Sequence, residues 1–220
     1  MNRWMPHLSL SVRRLPLAAT LVLVGMLAAC GGSTTGPTTP PTIEPGADLL
    51  FLRPAAGSPP LLTRDTSFVA TRGQSETVEL FYEDPQNPGQ PGQRFLRFKL
   101  EDNSLLQYPP SHPMAGAAFQ PGDTITISIH VSQDTLLAEF SPSGLKFDPN
   151  APAELEMRWA EADRDFDDDG SEDPELEGDI DLWKQELAGQ PWTRVGTVKD
   201  VSLEEVKAEV TGFTIWALAI

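Results

Sequence analysis

Apolar and polar residues alternate along most of the chain after residue 46, the pattern of β-strands with one buried face. Residues 124–131, TITISIHV, are the clearest case, because Ile or Val occupies every second position. The same alternation recurs around residues 78–82, 96–100, 155–159 and 206–210. We therefore predict a strand at each of these places, with its apolar side chains in a core.

The last segment of the chain differs, because residues 213–218, FTIWAL, are almost wholly apolar. This composition predicts a central strand that is covered on both faces. Pro- and Gly-containing turns separate the strand segments, and no segment has helical apolar spacing over several turns. These features predict an all-β fold, an antiparallel β-sandwich of the Ig-like or ZU5-like kind, over residues 47–220.

The first thirty residues combine basic residues, an apolar run over 15–29 and the only cysteine of the chain, Cys30. The run is shorter than the ~20 residues of a membrane span and ends in small residues, as a cleaved secretory signal does. Leu27-Ala28-Ala29-Cys30 resembles the lipobox of bacterial lipoproteins. The resemblance implies that residues 1–29 are a signal peptide and that Cys30 carries a covalent lipid. An uncleaved N-terminal anchor is the alternative.

Residues 30–46 follow as a segment rich in Gly, Thr and Pro, with one large apolar side chain and one charge. Such a composition cannot bury enough surface to offset its ordering entropy, so we predict a flexible, extended linker. Gly31, directly after the lipobox, is typical of lipoproteins sent to the outer membrane. The expected location is therefore the cell envelope, with the lipid holding the chain on that membrane.

The second half of the chain resembles the ZU5-like sandwich, a relative of the fold in GAIN-type domains. Pro142, Gly144, Phe147 and Pro152 match its turn motif, and in the segment from Trp192 to Ile220 Phe213 and Thr214 match the start of its last strand. The resemblance implies that the strand containing Trp192 lies beside the strand around residues 155–159.

Some members of that family cleave themselves, and here the scissile bond would precede Thr214. Gly212 replaces the histidine that serves as the base in those relatives. A hydroxyl without a neighbouring base is a weak nucleophile. We therefore expect no cleavage before Thr214, and self-processing is only the alternative function.

The chain is acidic, with 32 Asp and Glu against 16 Lys and Arg. This charge argues against nucleic acid as a partner. Eleven of the acids lie within residues 161–179, where Arg164 is the only base. Part of this segment resembles an EF-hand or dockerin calcium loop, with Gly170 at its turn. Its candidate calcium ligands are Asp165, Asp167, Asp169, Ser171 and Asp173.

The calcium resemblance is incomplete, because Leu176 occupies the position of the bidentate glutamate. A solvated acidic tip on a long hairpin is the alternative. No nucleophile elbow, phosphate loop or zinc motif occurs, so we expect no enzyme. We predict that Trp159 and Trp216 belong to the core. Trp183, on the same strand face as Asp181, is the candidate residue for contact with an envelope protein or glycan.

Overall fold

The structure is a computed structural model that describes the backbone of residues 42–43 and, in full, residues 49–167, 169–195 and 197–220. The predicted signal peptide, Cys30 and most of the predicted linker lie outside the described residues. Within the described part of the chain, no helix has the length and apolarity that a membrane crossing requires.

The described residues form strands and turns, without an α-helix. The strands are β1 (Thr42–Ile43), β2 (Asp65–Thr71), β3 (Glu76–Asp84), β4 (Asn87–Leu100), β5 (Leu105–Gln107), β6 (Thr124–Val131), β7 (Leu137–Ser141), β8 (Lys146–Phe147), β9 (Ala153–Arg158), β10 (Asp181–Gln185), β11 (Trp192–Arg194), β12 (Thr197–Asp200), β13 (Glu205–Val210) and β14 (Ile215–Ala219).

These strands form two main sheets with antiparallel pairing throughout. The seven-stranded sheet has the order β1-β11-β10-β14-β7-β6-β2, and the five-stranded sheet has the order β12-β13-β9-β4-β3. The short strands β5 and β8 pair separately. The predicted all-β, antiparallel sandwich-like fold is therefore confirmed.

The alternating positions of the sequence build the core between the sheets. Strand β6 buries Ile125, Ile127, Ile129 and Val131, while Thr126 and His130 are exposed. Phe98 of β4 lies at the centre of an aromatic cluster, with ring centroids 5.1 Å from Phe140 and 5.5 Å from Phe213. Removal of these side chains from water is the main favourable term in folding. The predicted core positions of Trp159 and Trp216 are confirmed, because both are almost fully buried.

The final strand is central, as its apolar composition predicts. Strand β14 is fourth of seven in its sheet, and four of its five residues are buried. It begins at Ile215, two residues after the predicted start, because Phe213 pairs elsewhere: its N–H donates to the Leu145 carbonyl. The Phe213 side chain still enters the core.

Two sequence expectations about connections are wrong. The acidic segment 161–179 is not a hairpin loop, because β9 lies in the five-stranded sheet and β10 in the seven-stranded sheet. It is a crossover from one sheet to the other, and we call it the acidic crossover. For the same reason β11, which begins at Trp192, does not lie beside β9. Alternation shows which face of a strand is buried but not which sheet the strand joins.

Candidate functional site

The acidic crossover is held against the folded domain by apolar side chains within it. Ala162 and Phe166 are buried, and Leu176 packs against the core. Ala162 also forms a backbone bridge with Pro54. Leu176 stands where a calcium loop has a bidentate glutamate, and its side chain packs against the core instead. These anchors fix both ends of the carboxylate-rich turn between them.

Three of the five predicted calcium ligands come together in this turn. Asp165, Asp167 and Asp173 each place a carboxylate oxygen within 4.8 Å of the other two. Asp173 is only 7% exposed, and its Oδ2 accepts the N–H groups of Phe166 at 2.8 Å and Asp167 at 3.3 Å. We call Asp165, Asp167 and Asp173 the carboxylate triad.

Backbone N–H groups shape the rest of the turn. The two carboxylate oxygens of Asp165 accept the N–H groups of Asp169 and Gly170, both at 2.9 Å. Gly170 has a φ of 90°, a left-handed conformation that glycine adopts at little cost and that reverses the chain. The other two predicted ligands, Asp169 and Ser171, do not belong to the triad; Asp169 Oδ1 instead accepts the Ser171 N–H at 2.8 Å.

The triad carboxylates form no ion pair with another side chain in the described part of the chain. Arg164, the only base of the crossover, pairs instead with Glu177 and Glu204. Partial desolvation and the neighbouring carboxylates of Asp169, Asp173 and Asp165 raise the pKa of Asp167. A raised carboxyl pKa means that negative charge is unfavourable at that place. A hard cation that prefers oxygen ligands is the chemical complement of such a group, and Ca²⁺ is of this kind.

The outer face of the five-stranded sheet carries charges in a different arrangement. Arg94 donates to Glu156 at 2.9 Å and to Glu205 at 2.7 Å, and Arg97 donates to Glu154 at 2.9 Å and also to Glu156. Four bases and four acids make up this charge ladder: Arg94, Arg97, Arg158, Lys207, Glu79, Glu154, Glu156 and Glu205. The ladder neutralises itself and offers no unpaired charge to a ligand.

The outer face of the seven-stranded sheet carries a cleft of about 510 Å³ that the sequence analysis missed. His130 lies in it, with Nδ1 2.7 Å from Asp65 Oδ1, and Ser67 and Ser128 share a hydrogen bond of 2.7 Å. In the described part of the chain, no serine hydroxyl is hydrogen-bonded to His130. The only signal in the sequence was the row of small hydroxyl residues on the polar face of residues 124–131.

Thr214, the residue that would attack in self-cleavage, lies on the same cleft. It is 4% exposed, and its hydroxyl has no hydrogen-bond partner among the described residues. At Gly212 a Cβ atom would lie 3.2 Å from the Leu145 carbonyl oxygen, so the close backbone approach there favours glycine. The Lys146 Nζ would lie 3.5 Å from that Cβ, but in the described part of the chain it forms no hydrogen bond with the Thr214 hydroxyl.

The structure corrects the expectation for Trp183. Its side chain is 5% exposed, and its indole N–H donates to the Ala219 carbonyl at 3.2 Å, so it is not available to a partner. The expectation followed from Asp181, two residues earlier on the same face. Asp181 is itself buried, however, and accepts hydrogen bonds from Arg194 at 2.7 Å and from Thr197.

Comparison with protein-family models, with curated proteins and with solved structures found no match to this chain. The lipobox and ZU5-like resemblances therefore rest on the residues that carry them. The chemistry of the triad, the ladder and the cleft has to be judged from their own geometry.

Proposed function

We propose that this protein is a non-catalytic lipoprotein of the cell envelope. A lipid on Cys30 anchors it at the outer membrane, and a calcium-stabilised β-sandwich provides a surface for binding or structural support. The carboxylate triad is the observation that carries this proposal, because it lies in the one segment that joins β9 of one sheet to β10 of the other. An ion bound there would brace the turn of this connecting segment, in a chain that has no cysteine pair to form a disulfide.

The triad supports calcium in particular. Its carboxylates supply three of the six to eight oxygen ligands that Ca²⁺ takes, and water and backbone carbonyls commonly supply the others. The missing glutamate at Leu176 weakens the site. We expect a Kd in the micromolar range or above, as in sensor or extracellular sites.

The sequence supports the anchor. The lipobox residues precede Cys30, and the Gly-, Thr- and Pro-rich segment after it suits a spacer between a membrane and a folded domain. A ZU5-like origin of the domain belongs to the same proposal and is supported by Pro142, Gly144, Phe147 and Pro152, although β11 does not lie beside β9 as the resemblance implies. The absence of catalytic chemistry is supported by the exposure of the Asp65–His130 pair, whose side chains are 81% and 55% exposed, because water then screens their interaction.

The anchor is tested by expressing the full chain and the Cys30→Ala variant in a bacterium with two membranes, supplied with an alkyne-labelled fatty acid. We expect the wild-type chain to carry the label and to sediment with outer membranes, and the variant to lose both properties. An unlabelled wild-type chain would refute the lipid anchor.

The same cells test the alternative of self-processing. A single intact band of the mature chain on a denaturing gel is expected. Two stable fragments that separate before Thr214, and that disappear in a Thr214→Val variant, would replace the proposed function by self-cleavage.

A further inference from the structure

The cleft on the outer face of the seven-stranded sheet has the size of a ligand site. Its volume of about 510 Å³ lies within the range of ~300–1,000 Å³ that is usual for pockets that bind small molecules or side chains. Strands β2, β6 and β7 form its floor, and residues 186–188, after β10, form one wall. None of its lining residues belongs to the carboxylate triad or to the charge ladder.

Its charged lining is almost entirely acidic. The carboxylates of Asp65, Glu139 and Glu186 line the cleft, and no lysine or arginine does. Two of these carboxylates already have a partner. His130 Nδ1 lies 2.7 Å from Asp65 Oδ1, and Lys184 Nζ donates to Glu186 Oε1 at 2.6 Å. Glu139 lies on β7, opposite His130 of β6 on one side and Ile215 of β14 on the other. It has no ion pair in the described part of the chain. The cleft therefore holds one carboxylate that is free to accept a cation.

Hydroxyl groups with unused hydrogen-bonding capacity line the same cleft. The Ser141 and Ser143 side chains are exposed, and their hydroxyls have no side-chain partner among the described residues. Leu187, which is 58% exposed, and Ile215 add apolar surface.

We infer that this cleft binds the side-chain ammonium group of a lysine in an extended segment of a partner polypeptide. An ammonium group has three donors and no acceptor, which suits a free carboxylate surrounded by hydroxyl oxygens. The aliphatic stem of lysine suits the apolar wall. The acidic lining disfavours phosphate and carboxylate ligands.

A peptide fits better than a free amine because the cleft continues beyond the carboxylates. A second depression of about 570 Å³ shares Ser128 and Ser141 with it and runs past His112 and Pro142. This depression has no charged lining, as is suitable for the main chain on either side of the lysine. The inference deepens the binding role proposed above. It rests on that role in one respect, that the protein meets a partner polypeptide in the cell envelope.

Calorimetric titration of the full chain, purified in detergent, tests the inference. Millimolar calcium is kept in every titration so that the triad is occupied and does not bind the probe. The probes are the capped peptide Gly-Ser-Lys-Ser-Gly, the same peptide with an acetylated lysine side chain, 1,4-diaminobutane and maltose. We expect the lysine peptide to bind most tightly, and acetylation to weaken it about tenfold or more, the usual effect of losing a charge-assisted hydrogen bond.

Variants locate the binding. Glu139→Gln is expected to weaken the lysine peptide about tenfold, and Ser141→Ala several-fold, for the loss of one charged and one neutral hydrogen bond. Glu209→Gln, which removes an exposed carboxylate from the other sheet, is the matched control and should leave the affinity unchanged. Thermal melts of each variant establish that it is folded.

Each other outcome overturns the inference. Equal affinities for wild type and Glu139→Gln would mean that the overall acidic charge attracts the peptide. Binding of 1,4-diaminobutane as tight as that of the peptide would assign the cleft to free amines, and preferential binding of maltose would assign it to glycans. Failure of these titrations would leave the anchor and calcium experiments unaffected, because neither uses the cleft.

Discussion

The charge ladder and the acidic crossover are both rich in carboxylates, but the surroundings of the carboxylates differ between the two regions. In the ladder, strand register places Arg97 opposite Glu156 and Arg158 opposite Glu205, so every acid meets a base. In the crossover, eleven acids share one base, and the hydrogen bonds that the triad accepts from described residues come from backbone N–H groups. The sheet carboxylates are thus neutralised by bases on neighbouring strands, whereas the triad carboxylates accept backbone N–H groups and form no ion pair with a described residue.

The carboxyl pKa values differ accordingly. Burial by itself would raise the pKa of Glu154, but Lys207 and Arg97 outweigh it and lower the value. Desolvation and neighbouring carboxylates raise the pKa of Asp167. Ionisation of Glu154 therefore stabilises the folded state, and ionisation of Asp167 opposes it.

The largest effect is expected from Glu156→Ala in the ladder. The Glu156 side chain is 6% exposed, and its removal leaves Arg94 and Arg97 without their shared acceptor. Breaking one side of a buried ion pair costs roughly 3–5 kcal/mol, and we expect about 3 kcal/mol because Arg94 keeps Glu205 and Arg97 keeps Glu154. Chemical denaturation should therefore show a free energy of unfolding lower by that amount, with or without calcium.

The matched control is Glu209→Ala, which removes an exposed glutamate without an ion pair in the described part of the chain. It should change the free energy of unfolding by less than about 0.5 kcal/mol. If the two variants were equally stable, the ladder would contribute nothing beyond ordinary surface charge.

Calcium is expected to have the next largest effect, and it should act only on the crossover. For a Kd of about 30 µM, a calcium concentration of about 1 mM stabilises the folded state by about 2 kcal/mol. This corresponds to a rise in Tm of about 4–8 °C for a domain of this size. Thermal melts in calcium and in chelator measure the difference.

Asp165→Asn should abolish the calcium-dependent rise in Tm, and Asp179→Asn, in the same crossover but outside the triad, should preserve it. Equal melting temperatures of the wild-type chain in calcium and in chelator would refute the calcium site.

The smallest effects are those of pH, and their signs should be opposite in the two regions. Because the folded pKa of Glu154 is lowered, its contribution is full above the ordinary glutamate pKa and is lost as the pH falls through the folded value. The folded pKa of Asp167 is raised. Without calcium, the free energy of unfolding therefore falls as the pH rises from the ordinary aspartate pKa to the raised folded pKa.

Two neutral variants separate these contributions in melts between about pH 3.5 and 6. Glu154→Gln should lower Tm at pH 6 and flatten the loss on acidification. Asp167→Asn should raise Tm at pH 6 in chelator but lower it in calcium, where the carboxylate is a ligand. An Asp167→Asn effect of the same sign in both solutions would mean that Asp167 does not bind the ion.

Much of the fold follows from the sequence because alternation depends on neighbouring residues. Strand β6 coincides with the predicted residues 124–131, and the apolar composition of 213–218 identified a central strand. The Asp spacing and Gly170 likewise identified the turn that brings Asp165, Asp167 and Asp173 together, because that geometry is set within nine residues.

Tertiary structure alone decided which sheet each strand joins, and with it the crossover, the ladder and the cleft. Asp181 made Trp183 look exposed, but Arg194, from a neighbouring strand, satisfies that acid in a buried place. Glu139, His130 and Asp65 meet because β7, β6 and β2 are adjacent in the sheet. The sequence by itself determined which faces are buried and where the acids concentrate, since both depend on local composition. Pairing between distant strands decided which charges are neutralised, because it sets the distance between them.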